Sequence, residues 1–397
     1  MKQLARVRGE LGSNRKGPLG LNEYQTLATR TYRGGMEGSE KMNFLLLGLS
    51  GEVGSVLSEL KKKQRDSHSY TAYARSAVEE TGDVLWYLAN VADQAGIPLF
   101  QLAEQTHASV GLDPNTFTFA DLEPQAALFE EPASNAHVQH SLLTLAARTG
   151  RAVQRAHENE ETTPLRDELR GVFDALVAAA SQAHVSLERA ATLNLVKLIN
   201  RWPIKRTWGN LYDSAYGPEE QLPRHLEITF RERQISGKSY VFQSVHGVHV
   251  GDRLTDNSAD EDDYRFHDVF HLSFASILGW SPVLRALLKV KRKSDPQVDE
   301  HQDGARAIIT EEGISNWIFA HGLRLNAFAQ VDSLDFALLK TVRDMVKGYE
   351  VESRPLWMWE HAILRGFEVF RELKRYRGGT VTVDLKERKI SFTPPSQ

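Results

Sequence analysis

Residues 44–66, FLLLGLSGEVGSVLSELKKKQRD, and residues 78–104, VEETGDVLWYLANVADQAGIPLFQLAE, decide how this chain is read. Glu52, Ser55 and Glu59 stand at i, i+3 and i+7, so on a helix they share one face. Glu80 and Asp83 are three residues apart near the start of a second helical pattern. An antiparallel pair of such helices brings Glu52, Glu80 and Asp83 together across the seam. Carboxylates converging inside a helical bundle are costly unless a cation neutralises them. Mg²⁺ suits the task, because it takes oxygen ligands, keeps waters and is completed by substrate phosphates; Mn²⁺ is the alternative. Lys61, Lys62, Lys63 and Arg65 follow the first helix and are candidates to meet those phosphates. The bland alternative is a surface helix with solvated glutamates.

The run GLSGEVG…ELKK…EETGDVLWYLA resembles the MazG-like all-α nucleoside triphosphate pyrophosphohydrolases, whose signature is E-x-x-E, a gap, then E-x-x-D. Glu80-Thr81-Gly82-Asp83 carries the second half intact, whereas Glu52-Val53-Gly54-Ser55 has Ser where the family has its second Glu. The resemblance implies a metal set of Glu52, Ser55, Glu80 and Asp83, with Ser55 ligating weakly or through water, or Glu59 supplying the missing carboxylate. It implies catalytic roles for Glu52, Glu59, Glu80 and Asp83. It also makes Gln25, near the start of the preceding helix, a nucleotide contact; packing or solvent is the competing role.

The same pattern returns further on. LLTLAARTGRAVQRA (142–156) aligns with the first helix when Gly150 falls on Gly54, an offset of 96. LRGVFDALVAAASQAHVSLERAA (169–191) aligns with the second when Val185-Ser186-Leu187 falls on Ile97-Pro98-Leu99, an offset of 88. This reads as a tandem repeat of one helical unit. The second copy has lost the acidic set: Arg148 falls on Glu52, Arg151 on Ser55 and Gly171 on Asp83, with only Glu168 matching Glu80. It keeps Asn194-Leu195-Val196-Lys197…Arg201-Trp202, which is similar to the family's terminal N-L-x-K-x-x-x-R-[WF] segment. One copy would then supply the metal face and the other the cations, with Lys197, Arg201, Arg148 and Arg151 on the phosphate side; Lys197 and Arg201 as plain surface cations is the alternative.

After Trp202-Pro203 the texture changes. Residues 226–256 alternate apolar and polar residues between Gly turns and read as two or three strands, and 378–394 reads as a hairpin. The two sets are expected to form one small antiparallel sheet with helices on one face. Within this region DEDDYRFHDVFH (260–271) places His267 and His271 at i, i+4 beside Asp268, and a later helix carries Glu311-Glu312. Such a set can hold Zn²⁺, Mn²⁺ or Fe²⁺. A structural histidine cluster competes with that role, and no third-ligand motif of a metalloprotease follows.

The fold class expected is mainly α: tandem all-α MazG-like repeats forming a bundle, then an α+β domain with a small antiparallel sheet. The divisions are a flexible arm at 1–20, a helical domain with the acidic site at 21–112, a linker at 113–136, a degenerate repeat at 137–205 and the α+β domain at 206–397. With 397 residues, two or three cores are affordable. No apolar run approaches the about 18 residues of a membrane span, and no signal-peptide core opens the chain. The lack of cysteine excludes disulfides and thiolate metal sites and fits a cytoplasmic protein. A formal charge of −4 argues against a nucleic-acid partner, and no Gly-rich phosphate loop is present. The leading expectation is a Mg²⁺-dependent hydrolase that splits a nucleoside or deoxynucleoside triphosphate into monophosphate and pyrophosphate, self-associating as its family does. A nucleotide sensor with little turnover, and a phosphohydrolase centred on the C-terminal cluster, are the alternatives.

Overall fold

A computed structural model describes residues 2–103, 113–122, 135–158 and 162–395. The chain divides into two compact units, 1–205 and 206–397. Among the described residues no helix is long and apolar enough to cross a membrane.

The first unit is all helical. It comprises α1 (Lys2–Leu11), α2 (Leu21–Thr29), α3 (Gly38–Asp66), α4 (Tyr73–Gln94), α5 (Leu99–Ala103), α6 (Asn135–His157), α7 (Thr162–Gln182) and α8 (Leu187–Arg201). The short connection 67–72 folds α4 back along α3, and α7 packs along α6 in the same way. α3 also meets α6, and α4 meets α8. Leu45, Leu49 and Val53 of α3 and Val84, Leu88 and Val91 of α4 lie in one continuous core with Leu145, Leu169, Val172 and Leu195. Burying each such side chain contributes about 1.5–3 kcal/mol. The Tyr87 ring lies over Gly48, where an added Cβ would stand 2.0 Å from it, so glycine at 48 sets the depth of the α3–α4 seam.

The 88-residue spacing expected between the two copies recurs in the backbone. α4 ends at Gln94 and α7 at Gln182, and α5 starts at Leu99 and α8 at Leu187, each pair 88 residues apart. The turns match too: Gly96 and His184 both have positive φ (71° and 54°), and Ile97 and Val185 each donate back to the residue five before, Ala92 and Ala180, at 2.8 Å. Both are left-handed helix C-caps, the second made with a non-glycine residue.

Residues 2–11, expected as part of a loose arm, form a helix instead. Leu4, Val7 and Leu11 recur at i, i+3 and i+7 and are buried. Buried Arg8 is anchored in a bidentate pair with Glu23 (2.8 and 2.7 Å). Basic composition and nearby Gly and Pro masked that apolar stripe.

The second unit is α+β. Strands β1 (His225–Ile235), β2 (Lys238–Val245), β3 (Val248–Leu254), β4 (Gly378–Asp384) and β5 (Lys389–Thr393) form one antiparallel sheet ordered β3-β2-β1-β4-β5. β1 lies at the centre, pairing with β2 through Phe230↔Gln243 and with β4 through Ile228↔Val381. Between β3 and β4 run α9 (Asp268–Ser273), α10 (Pro282–Leu288), α11 (Pro296–His301), α12 (Ala305–Arg324), α13 (Phe336–Met345) and α14 (Leu356–Tyr376), with one π-helical turn at Phe274–Leu278 after α9. The buried alternation Leu226, Ile228, Phe230 on β1 meets Phe270, Phe367 and Phe370 in a single aromatic-rich core.

Candidate functional site

α3 presents Glu52, and α4 presents Glu80 and Asp83 one turn apart. Each offers a carboxylate oxygen, and the three oxygens lie within 4.8 Å of one another. All three residues are half-buried. Burial and the neighbouring Asp83 and Glu52 carboxylates push Glu80 up to about 7. Burial raises Asp83 and Glu52 as well, Glu52 with added repulsion from Asp83. A group of hard oxygens this crowded, with its charge incompletely compensated, fits a divalent cation such as Mg²⁺.

The protein's own countercharge comes from α8. Lys197 Nζ donates to both oxygens of Asp83, and Asn194 Nδ2 donates to Oδ1 at 2.6 Å. Gly82 permits this approach: a Cβ there would stand 2.6 Å from the Ala190 carbonyl oxygen, so α8 sits directly on the α4 backbone. Lys197, expected on the phosphate side, is therefore the ion-pair partner of the acidic group. Asn194 was missed as a site residue, although it lies three before Lys197 on the same helix face.

Other expected residues stand elsewhere. Glu59 does not join the group, because its buried carboxylate accepts from Lys62 (2.6 Å) and from the Tyr70 hydroxyl. Lys62 is thereby held on Glu59, Lys63 donates to the Ser67 carbonyl (3.1 Å), and Lys61 is exposed. Ser55 is half-buried one turn beyond Glu52 and brings no carboxylate. Gln25 takes the packing role: its Nε2 donates to the carbonyls of Ile97 (2.9 Å) and Ala89 (3.3 Å), and its Oε1 accepts from Leu99 N–H (2.8 Å). It clamps the α4–α5 turn. Arg201 lies over the Trp202 ring, 4.4 Å from its centroid. In the second copy the Arg148 stem covers Gly171, 3.2 Å from where a Cβ would be, so arginine fills the place that corresponds to Asp83. Arg151 is exposed.

In the second unit, ligating atoms of His267, Asp268 and His271 also lie within 4.8 Å of one another. His267 Nδ1 is 2.9 Å from the Tyr264 carbonyl, and His271 Nδ1 is 2.9 Å from Glu311 Oε1. His267 Nε2 stands 3.2 Å from Asp268 Oδ1, and His271 Nε2 stands 3.4 Å from Glu312 Oε2. Burial pulls His267 below its ordinary range. It pulls on His271 too, but Glu311 and Glu312 more than offset it and hold that imidazole well above. The adjacent glutamates differ: Glu311 is fully buried behind His271, and Glu312 is part-exposed on the side shared by both Nε2 atoms.

No curated protein and no solved structure matches this chain. Residues 208–396, a little under half of the chain, match the family described as MazG C-terminal domain, and the match does not reach the helices of the first unit.

Proposed function

We propose that the first unit is a Mg²⁺-dependent nucleoside triphosphate pyrophosphohydrolase acting between the α and β phosphates. The observation that carries this reading is the convergence of Glu52, Glu80 and Asp83 from two helices. These three residues would hold the metal, which when bound clamps phosphate oxygens and lowers the pKa of water. Glu52, on the helix facing Glu80 and Asp83, would orient the attacking water. Lys197 works against the rise that burial imposes on the Asp83 carboxyl, and it would bring positive charge to the side where leaving pyrophosphate needs it. The match of residues 208–396 to the MazG C-terminal domain family supports a nucleotide as substrate.

The test is pyrophosphate release across a panel of nucleoside and deoxynucleoside triphosphates with Mg²⁺ or Mn²⁺, comparing wild type with Glu80→Ala/Asp83→Ala. Release by wild type that drops to background in the double variant is expected. Release that survives it, or none from any triphosphate, overturns the reading. A nucleotide sensor without turnover is the second reading, favoured by Ser55 in place of a carboxylate; metal-dependent nucleotide affinity without product would select it.

A further inference from the structure

We infer that the second unit holds a divalent d-block metal ion, ligated by Nε2 of His267 and of His271, with Asp268 and Glu312 completing the donor set. The two histidines sit one helical turn apart at the start of α9, His267 being its N-cap in helical conformation (φ −62°, ψ −23°). Their rings meet edge to face at 78°, with centroids 5.7 Å apart.

What argues for a metal is how the imidazoles are held. Each has its Nδ1 committed to an acceptor, His267 to the Tyr264 carbonyl and His271 to Glu311. With Nδ1 backed in this way, Nε2 is the nitrogen each ring turns toward an ion, the arrangement of metal-binding histidines backed by a carbonyl or carboxylate; on His271 the ion would replace the Nε2 proton that Glu311 and Glu312 favour in the free protein. Glu311 is itself held from behind by Val283 N–H at 2.8 Å. The Tyr264 ring stacks on His267 at 4.1 Å and 3°, locking its orientation, and Gln243 donates to Asp268 Oδ2, leaving Oδ1 toward His267.

The second observation is an orphan. His271 Nε2 is buried without a hydrogen-bond partner on a residue only 2 % exposed. Glu312 Oε2 lies 3.4 Å away, but not in hydrogen-bonding geometry, and it is also 3.8 Å from His267 Nε2. A histidine–carboxylate ion cluster would use that nitrogen as a donor. One cation between the two Nε2 atoms and Asp268 satisfies them, bonds of about 2.0–2.2 Å suit ligand atoms this close together, and Glu312, 3.8 and 3.4 Å from the two nitrogens, would close on the ion from the solvent edge. Two imidazoles select Zn²⁺, Mn²⁺, Fe²⁺ or Co²⁺ over Mg²⁺ and Ca²⁺, which prefer oxygen. The Glu312 side chain is 41 % exposed, so this edge of the site opens to solvent, where an exchangeable ligand can enter. The site lies wholly in the second unit and is independent of any activity of the first.

The probe is Co²⁺, added to full-length protein stripped with a chelator. Histidine-bound Co²⁺ shifts the exchangeable Nδ1–H protons far outside the ordinary proton NMR window, which ligation by carboxylates alone does not. Wild type is expected to show two such signals at one equivalent. His271→Gln should abolish them, and Glu311→Gln, which touches only the back of His271, should keep them while weakening affinity roughly 10- to 100-fold. Should His271→Gln not fold, His267→Gln gives the same comparison through loss of its own signal, while Glu312→Ala at the solvent edge should reduce affinity and retain both signals. Absence of the shifted signals in wild type, or their persistence in folded His271→Gln, overturns the metal site and leaves an ion cluster only.

Discussion

Replacing Lys197 with Met keeps the aliphatic stem and removes the charge that neutralises Asp83. Both side chains are only 16 % exposed, so the pair is shielded from solvent. Stripping one partner from a buried pair costs about 3–5 kcal/mol, because the other charge is left uncompensated. Here the remaining charge has a partial escape: with Glu80 at about 7, the carboxylate group can take up a proton near neutral pH. That relief trims the expected loss to roughly 2–3 kcal/mol. At about 1.4 kcal/mol per factor of ten, protection of backbone amides in α4 and α8 should fall roughly 30- to 150-fold. Hydrogen exchange read by mass spectrometry on peptides from these helices measures it without interference from the second unit. Mg²⁺ sharpens the test. In wild type a metal must draw Asp83 away from Lys197; in Lys197→Met that competition is gone. Saturating Mg²⁺ at about 100 times its dissociation constant should return about 2.7 kcal/mol to the variant, and less to wild type. An unchanged protection pattern, or an equal Mg²⁺ response in both proteins, would refute the idea that Lys197 and the metal share one carboxylate.

Gly82→Ala should destabilise the first unit by about 1–3 kcal/mol, since the new methyl meets the Ala190 backbone at 2.6 Å and α8 must move. Gly54→Ala, with nothing within 4 Å of its Cβ, should instead gain about 0.5–1 kcal/mol of helix propensity. Thermal shifts of the same sign in the two variants would contradict the tight α4–α8 contact. In the second unit, Asp213 lies between Arg224 (2.8 Å) and Arg285 (2.7 Å) and accepts from Leu222 N–H. Burial pushes its carboxyl up, but Arg224, Arg285 and the Leu222 N–H more than offset this and hold it below its ordinary value. The unfolded chain therefore takes up this proton first as pH falls. The resulting stability is complete above the unfolded value of about 3.9 and is lost below it, down through the folded value. Acid unfolding of the second unit should show a shallower limb in Asp213→Asn; parallel limbs would assign the acid sensitivity elsewhere.

The acidic convergence was legible because it rests on local rules. Spacings of three and seven fix helix faces, and a six-residue connection between α3 and α4 forces them back to back. The sheet was legible for a similar reason, since alternation and Gly turns write strands directly into sequence. Lys197 on Asp83 was not, because the residues are 114 apart and meet only where Gly82 lets one helix rest on another's backbone. Nor could residue type separate Glu311 from Glu312. A helix turns about 100° per residue, so neighbours point to different surroundings; packing sends one behind His271 and the other to the solvent edge.

Gln25 shows where such reading stops on physical grounds. Its amide meets two carbonyls and one N–H, groups that every non-proline residue carries. A side chain whose partner is another side chain leaves a correlated pair of residue types in the sequence; one whose partner is backbone leaves only itself. The same asymmetry bears on the histidine site. Its acidic partners are written in the sequence, but the Tyr264 carbonyl behind His267 and the Val283 N–H behind Glu311 are not, and these decide which imidazole nitrogen is offered to a ligand. A sequence can thus propose a donor set, whereas the lone pairs that make it a donor set depend on backbone groups that only the fold puts in place.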